Sequence, residues 1–250
     1  MATVRRPATR ARTAVFAPIG DAGRAVRVEQ RLEQAIRSGI LSDGERLPSE
    51  PELAAMLGVA TVTAREALVA LRAQGLVTTT RGRGGGSFVN RPVVAVDGVA
   101  HQRLLAMTRV ELGDHGTLYA TVLSGCAELA AERADAEEVE ELREIVLSAD
   151  VESADPDGAA RHADTELHLA IAALTHSARL AREVMRIESD FGVLLRLPFE
   201  DAHHRRAVRA HQLTVIGAIA DHDGAAARAR MRSRVRDALG DLAELQTGLR

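Results

Sequence analysis

Two stretches of this 250-residue chain combine residue types and spacings that can do chemistry. In Asp164-Thr165-Glu166-Leu167-His168 a carboxylate and an imidazole stand at i and i+4. On a helix they share one face, a turn apart. Such a mixed oxygen and nitrogen pair can ligate a divalent ion, with Zn, Ni and Mn all compatible. An ordinary Asp–His pair at a surface has the same spacing. A metal-dependent hydrolase using Asp164 and His168 would also need a general base and an open metal position. Glu166 is two residues from either ligand and points off their face. The second stretch is polar and cationic: Thr61, Val62, Thr63 and Arg65, followed further along by Arg81-Gly82-Arg83. Arg can grip a guanine edge or a phosphate, Val can meet a thymine methyl, and Thr hydroxyls can donate to phosphates.

The elements that would present this second group are legible in the spacing of apolar residues. Val28, Leu32, Ala35, Ile36 and Ile40 keep helical period, and Gly39 with Ser42-Asp43-Gly44 ends that helix. Ser49 and Glu52 form a capping box ahead of LAAML, with Pro51 in the first turn where its missing N–H costs nothing. That helix ends at Gly58. A further helix starts near 60–63, buries Ala64, Ala67, Leu68 and Leu71, and closes at Gly75. Two helices about a short Gly-containing turn make a helix-turn-helix. Leu76-Val77-Thr78-Thr79 and Ser87-Phe88-Val89 are strand-like and flank the basic, Gly-rich segment 81–86, a hairpin wing. Arg81 and Arg83 at its tip can enter a minor groove. The Gly run is not a phosphate loop: the chain has no Lys for a P-loop. A dinucleotide fingerprint would need a helix, not a strand, after its glycines.

Residues 1–23 read as a flexible basic arm, 24–91 as the DNA-binding domain and 92–102 as a linker. Residues 103–247 read as all-helical, with approximate spans 103–112, 115–133, 136–148, 159–174, 178–195, 202–220 and 224–246. Asp135 (with Glu138), Ser177, Asp201 and Asp223 are their expected caps. Charge divides along the same line. Residues 1–92 hold 14 Arg against 8 acids, a balance of +6, and the remainder is −9. Only the first part is suited to neutralising phosphates. The single cysteine, Cys126, lies in an apolar run and reads as a core residue. No stretch approaches a membrane span, and the start lacks the continuous apolar segment of a secretory signal, so the chain is expected in the cytoplasm.

The segment LPSEPELAAMLGVATVTAREALVALRAQGLVTTTRGRGGGSFV, residues 47–89, resembles the signature of the GntR family of bacterial regulators. It departs from that pattern at Ala60-Thr61, where the family usually has Ser-Arg. A second departure is Pro51, where the FadR branch often has Arg, and a third is the extra Gly of the wing. The resemblance implies contacts to double-stranded operator DNA from Ser49, Thr61, Val62, Thr63, Arg65, Arg81, Gly82 and Arg83. DTELHLAIAALTHSARL resembles the Asp-x-x-Phe-His segment of the FadR-type helical effector domain, FCD. That implies a mainly α protein: an N-terminal winged helix-turn-helix and a C-terminal bundle of six or seven helices. It also implies a homodimer, no enzyme activity, a role most often as repressor, and a small organic-acid effector. Many such domains bind a divalent metal through Asp, His and two later His. Here the ligands would be Asp164, His168 and His211, although the third family slot lands on Gln212. The fourth slot is Arg234, not His. Three states therefore stand open: a metal on Asp164, His168 and His211; a metal-free pocket in which Arg234 pairs with a carboxylate effector; or a vestigial pocket.

Overall fold

The computed structural model describes residues 13, 15, 16, 24–82, 84–90, 93–152 and 158–249. Most of the basic arm and Arg83 therefore lie outside the described residues. The chain divides into two compact units, Met1–Val93 and Val94–Arg250.

In the first unit α1 (Arg24–Ser38) packs on α3 (Thr61–Ala73), and α2 (Glu50–Leu57) packs on α3 as well. The apolar period is what joins them: Leu32, Ile36, Leu53, Leu57, Leu68 and Leu71 are all buried. The Ser49–Glu52 capping box forms in both directions and starts α2. Gly58 ends it, and α3 leaves at 112° to α2, the angle of a helix-turn-helix. Strands β1 (Val77–Thr80) and β2 (Gly86–Val89) pair antiparallel with Val77 opposite Val89. The segment before α2, expected only as a helix stop, also zips onto β2. Gly44 N–H donates to Val89 O, Val89 N–H to Glu45 O and Leu47 N–H to Ser87 O. Strand β2 is thus hydrogen-bonded on both edges, to β1 and to the segment before α2.

The second unit is entirely helical among the described residues: α4 (Val93–Ala106), α5 (Arg109–Arg133), α6 (Ala136–Ser148), α7 (Ala159–Leu174), α8 (Ala178–Ile187), a π-turn (Glu188–Gly192), α9 (Val193–Leu195), a 3₁₀ turn (Leu197–Glu200), α10 (Ala202–Ala220) and α11 (Gly224–Gly248). Asp135, Ser177, Asp201 and Asp223 cap as expected. Two boundaries differ from the sequence expectation. The expected linker is helical from Val93, because Ala100 and Leu104 find burial one turn apart. The break falls at Met107-Thr108 instead of 112–115, because Thr108 and Glu111 form a capping box that periodicity alone does not reveal.

The 25-residue helices α5 and α11 make the most extensive packing in the unit. Helix α7 is the central one. It touches α5, α6 and α8, and 11 of its 16 residues are buried, so it has almost no solvated face. Cys126 on α5 is a buried core thiol, and burial pushes its pKa up to about 12, which excludes a reactive thiolate. A single amide fastens the end of α11 to the α4–α5 junction. Buried Gln246 donates from Nε2 to Leu104 O at 2.7 Å and to Met107 O at 2.8 Å, satisfying carbonyls that the end of α4 leaves open. Gln246→Leu should therefore cost about 1–3 kcal/mol, the penalty for stranding buried acceptors. Urea unfolding checks this, and a midpoint equal to wild type would show that these bonds contribute nothing net.

Candidate nucleic-acid face and buried polar centre

The first unit exposes one face of α3. Ala64, Ala67, Leu68 and Leu71 take the core side, leaving Thr61, Val62, Arg65 and Val69 outward. Val62 is 56% exposed and Val69 52%, on the same outward face. Arg65 is 62% exposed, yet it is held: its Nε donates to Glu50 Oε2 of α2 at 2.8 Å. Its Nη groups carry no hydrogen bond among the described residues. Glu50 thus orients the guanidinium and leaves its outer edge presentable to a partner. Thr63 is half-buried. Ser49 is exposed, with its hydroxyl engaged in the capping box.

The wing is fixed by two further cations: Arg72, which helical spacing puts opposite the apolar face of α3, and Arg46, which the sequence reading did not place. Arg72 of α3 donates from Nη1 to Thr79 Oγ1 at 3.3 Å, and Arg46 donates from Nη2 to Gly85 O at 2.8 Å. The extra glycine has a steric reason: a Cβ on Gly85 would lie 2.5 Å from Thr80 O. Arg81 and Gly82 are exposed at the tip.

In the second unit α7 buries Asp164 at 2% exposure and His168 at 3%, so both must find partners inside the protein. Each oxygen of Asp164 faces a donor. Oδ1 accepts from Gln212 Nε2 at 2.9 Å and from Arg234 Nη2 at 3.2 Å, and Oδ2 lies 3.9 Å from Arg196 Nη1. His168 Nδ1 is 2.8 Å from Glu188 Oε1 and 4.0 Å from Asp164 Oδ2. Tyr119 of α5 donates its hydroxyl to the same Glu188 oxygen, and Arg196 Nη1 grips Glu188 Oε2. Arg196 Nη2 also reaches Glu188 O at 3.3 Å. Burial works against both carboxylates, but His168, Arg234 and Arg196 outweigh it for Asp164. Arg196 and His168 do so for Glu188, and both carboxyls sit below their ordinary range. Burial and the neighbouring Glu188 push Tyr119 well above its usual value, so it remains an O–H donor.

Glu188 reaches the centre because the chain takes a π-turn over Glu188–Gly192. Such an extra residue within a helix is a frequent feature of functional sites. Gly192 is a spatial requirement: a Cβ there would lie 2.4 Å from Glu188 Oε2 and 3.1 Å from Arg196 Nη1. Arg234 Nε and His204 Nε2 are buried without a hydrogen-bond partner among the described residues. His204 sits on α10 with Nδ1 3.3 Å from Asp241 Oδ2, and burial lowers its pKa. The same turn carries Asp190, whose carbonyl and carboxylate are held by Arg103 of α4 at 2.7 and 2.6 Å.

Of the three expected metal ligands, Asp164 and His168 come together and His211 does not. His211 is 46% exposed on the outer side of α10, 3.4 Å from Asp237 Oδ2, while its neighbour Gln212 points inward. The helix rotates about 100° per residue, so one position decides which side chain enters the core. Among the described residues no group of three or more His, Cys, Asp and Glu is arranged to hold a metal ion. Gln212 turns its NH2 group to Asp164, and the two guanidinium groups beside it have no lone pair with which to ligate. The donor set therefore does not fit the expected divalent ion. Glu188, Arg196 and Tyr119 escaped the sequence reading. Their signal was present: charged residues within the apolar run Met185–Leu197, and the one tyrosine in a chain with 2% aromatics.

A winged helix-turn-helix with an exposed face on its second helix, followed by a separate helical unit, is the architecture of a DNA-binding regulator. Residues 24–89 match the model of bacterial regulatory proteins of the gntR family, and residues 117–237 match the FCD domain. A protein of Mycobacterium gastri named as the HTH-type transcriptional regulator RmpR is 33% identical over 209 residues, 82% of this chain and 75% of that one. The Uxu operon transcriptional regulator of Escherichia coli K12 is 29% identical over 199 residues, covering 75% and 74%. The transcriptional repressor NanR of Klebsiella aerogenes is 28% identical over 203 residues, covering 78% and 76%. The solved structure of E. coli McbR/YncC aligns with TM-score 0.55 at 18% identity over 90% of this chain and 99% of that one, a likeness of fold. The chain belongs to the GntR family and carries an FCD domain, so it is a transcriptional regulator and not an enzyme. The hydrolase reading of Asp164 and His168 falls with that assignment. Glu166, which spacing puts off the face of Asp164 and His168, lies 3.3 Å from His162 Nε2.

The depressed carboxyls give the centre a defined pH signature. A group whose folded pKa lies below its unfolded value stabilises the fold above the unfolded value and loses that contribution as pH falls through the folded one. Melting temperature should hold through neutral pH and fall on acidification below about pH 4. Glu188→Gln should lower the plateau and flatten this acid limb. An identical acid limb in wild type and Glu188→Gln would show that Glu188 does not titrate as described.

Proposed function

We propose that the protein binds a palindromic operator as a homodimer, most simply as a cytoplasmic repressor, and that a small anionic metabolite in the helical unit controls binding. In this reading α3 enters the major groove. Arg65 contacts a guanine edge or phosphate, Val62 a thymine methyl, and Thr61, Thr63 and Ser49 the backbone. Arg81, Gly82 and Arg83 of the wing add phosphate or minor-groove contacts, Arg83 lying outside the described residues. The observation that carries the DNA reading is the exposed Arg65 fixed by Glu50, since a pre-oriented guanidinium loses little freedom on binding. The repressor reading draws on the name of the Klebsiella relative.

The anion reading rests on Arg234, 5% exposed with its Nε unpartnered. A buried donor of this kind suits a carboxylate oxygen. An anion there would compete with Asp164 for Arg234 and so disturb the network that holds Glu188. The π-turn of Glu188 also carries Asp190, the anchor of Arg103 on α4, and α4 follows the winged unit in the chain. That gives effector binding a physical route to the spacing of two DNA-binding units.

Arg65→Ala should weaken operator binding by about 1–3 kcal/mol at fixed salt, read by fluorescence anisotropy with the upstream DNA. Binding as tight as wild type would remove α3 as the recognition helix. Arg234→Ala should bind the same DNA but lose the response to a panel of small hydroxy- and keto-carboxylates. Arg234→Lys, which keeps the charge, should respond at higher concentration. A full wild-type response in Arg234→Ala would place the effector elsewhere.

A further inference from the structure

We propose that the buried centre of the helical unit is metal-independent by construction: Arg196, held by Glu188 and given room by Gly192, supplies the positive charge that a divalent ion would otherwise bring to Asp164 and His168. This goes beyond the anion reading of Arg234 and does not depend on it.

Three observations converge. The centre holds two buried carboxylates, Asp164 and Glu188, and two buried guanidinium groups, Arg196 and Arg234. Those charges cancel, so a dication placed there would have to be buried against two cations with no spare anion, an unfavourable arrangement in a low dielectric. The space between Asp164 and His168 is already occupied by protein groups. Asp164 Oδ1 accepts from both Gln212 and Arg234, and His168 Nδ1, which lies 4.0 Å from Asp164 Oδ2, is 2.8 Å from Glu188 Oε1. Finally, Arg196 is built in, not incidental. It contacts the carboxylate and the carbonyl of Glu188 across a π-turn, in space that exists only because residue 192 has no side chain. A guanidinium fixed in this way organises the same inward-facing carboxylate and imidazole that a metal would, but carries no exchangeable ligand position.

The test begins with elemental analysis of the full-length protein purified without a His tag, and melting with and without EDTA or added zinc. The expected result is less than about a tenth of an equivalent of Zn, Ni, Mn or Fe, and a melting temperature that EDTA does not change. Near-stoichiometric metal, or a lower melting temperature in EDTA, overturns the proposal. The converse test turns the site into a metal site. Gln212→His with Arg234→His supplies imidazoles at the two positions facing Asp164, and adding Arg196→Met removes the internal cation. The triple variant should gain a zinc-dependent rise in melting temperature and bind zinc at least about tenfold more tightly than the double variant, in which Arg196 still repels it. If the triple variant is unfolded without metal, recovery of its helical circular dichroism on adding zinc is the equivalent readout. Equal zinc affinity in double and triple variants, or no zinc response in the triple variant, rules out Arg196 as the ion's replacement.

Discussion

The helical unit is organised by one electrostatic constraint: α7 is enclosed, yet it carries a carboxylate and an imidazole at Asp164 and His168. A charge cannot be buried without compensation of comparable strength. Four other elements meet that demand. α10 supplies Gln212, α11 supplies Arg234, and the chain after α8 supplies both Glu188 and the Arg196 that neutralises it. The π-turn and Gly192 are geometric consequences, since without them Glu188 and Arg196 could not meet beside His168. Tyr119, kept protonated by burial and by Glu188, closes the network from α5. The polar centre therefore ties together five segments of a bundle whose remaining packing is aliphatic.

The winged unit solves the opposite problem, keeping charge at the surface in defined positions. Its cations act in pairs of roles. Arg46 and Arg72 are hydrogen-bonded to the wing backbone and strand, while Arg65 and Arg81 stay outward. Glu50 shows how an acidic residue can serve a surface meant for an anionic partner. It holds Nε of Arg65 and leaves the rest of the guanidinium free to be read. Exposed ion pairs contribute little to stability, so the value of this pair lies in orientation.

The π-turn connects these themes within the helical unit. Glu188 faces the buried centre, and Asp190, two residues on, anchors Arg103 near the start of that unit. His115 stacks on Phe191 beside the same turn, with ring centroids 5.2 Å apart. A short irregular segment thus bears both the interior network and the hold on α4.

Much of this was already determined by sequence. The helix-turn-helix, the hairpin wing and the caps at Ser49, Asp135, Ser177, Asp201 and Asp223 are local: each depends on residues within a few positions of one another. The outward placement of Arg65 and Val62 follows from helical period. So does the placing of Asp164 and His168 on one face of a helix, although that spacing fits a surface pair equally well. What completes that face was decided by tertiary structure. Whether α10 offers His211 or Gln212 depends on the helix's rotation against α7 and α11, which is set by packing along its whole length. A one-residue error in register exchanges a ligand for an amide. Glu188 and Arg196 lie outside any motif, and they meet Asp164 only because a π-turn and a missing Cβ at Gly192 allow it. Local rules read spacing along the chain, whereas the charge balance of a buried centre is a sum over segments that only folding brings together.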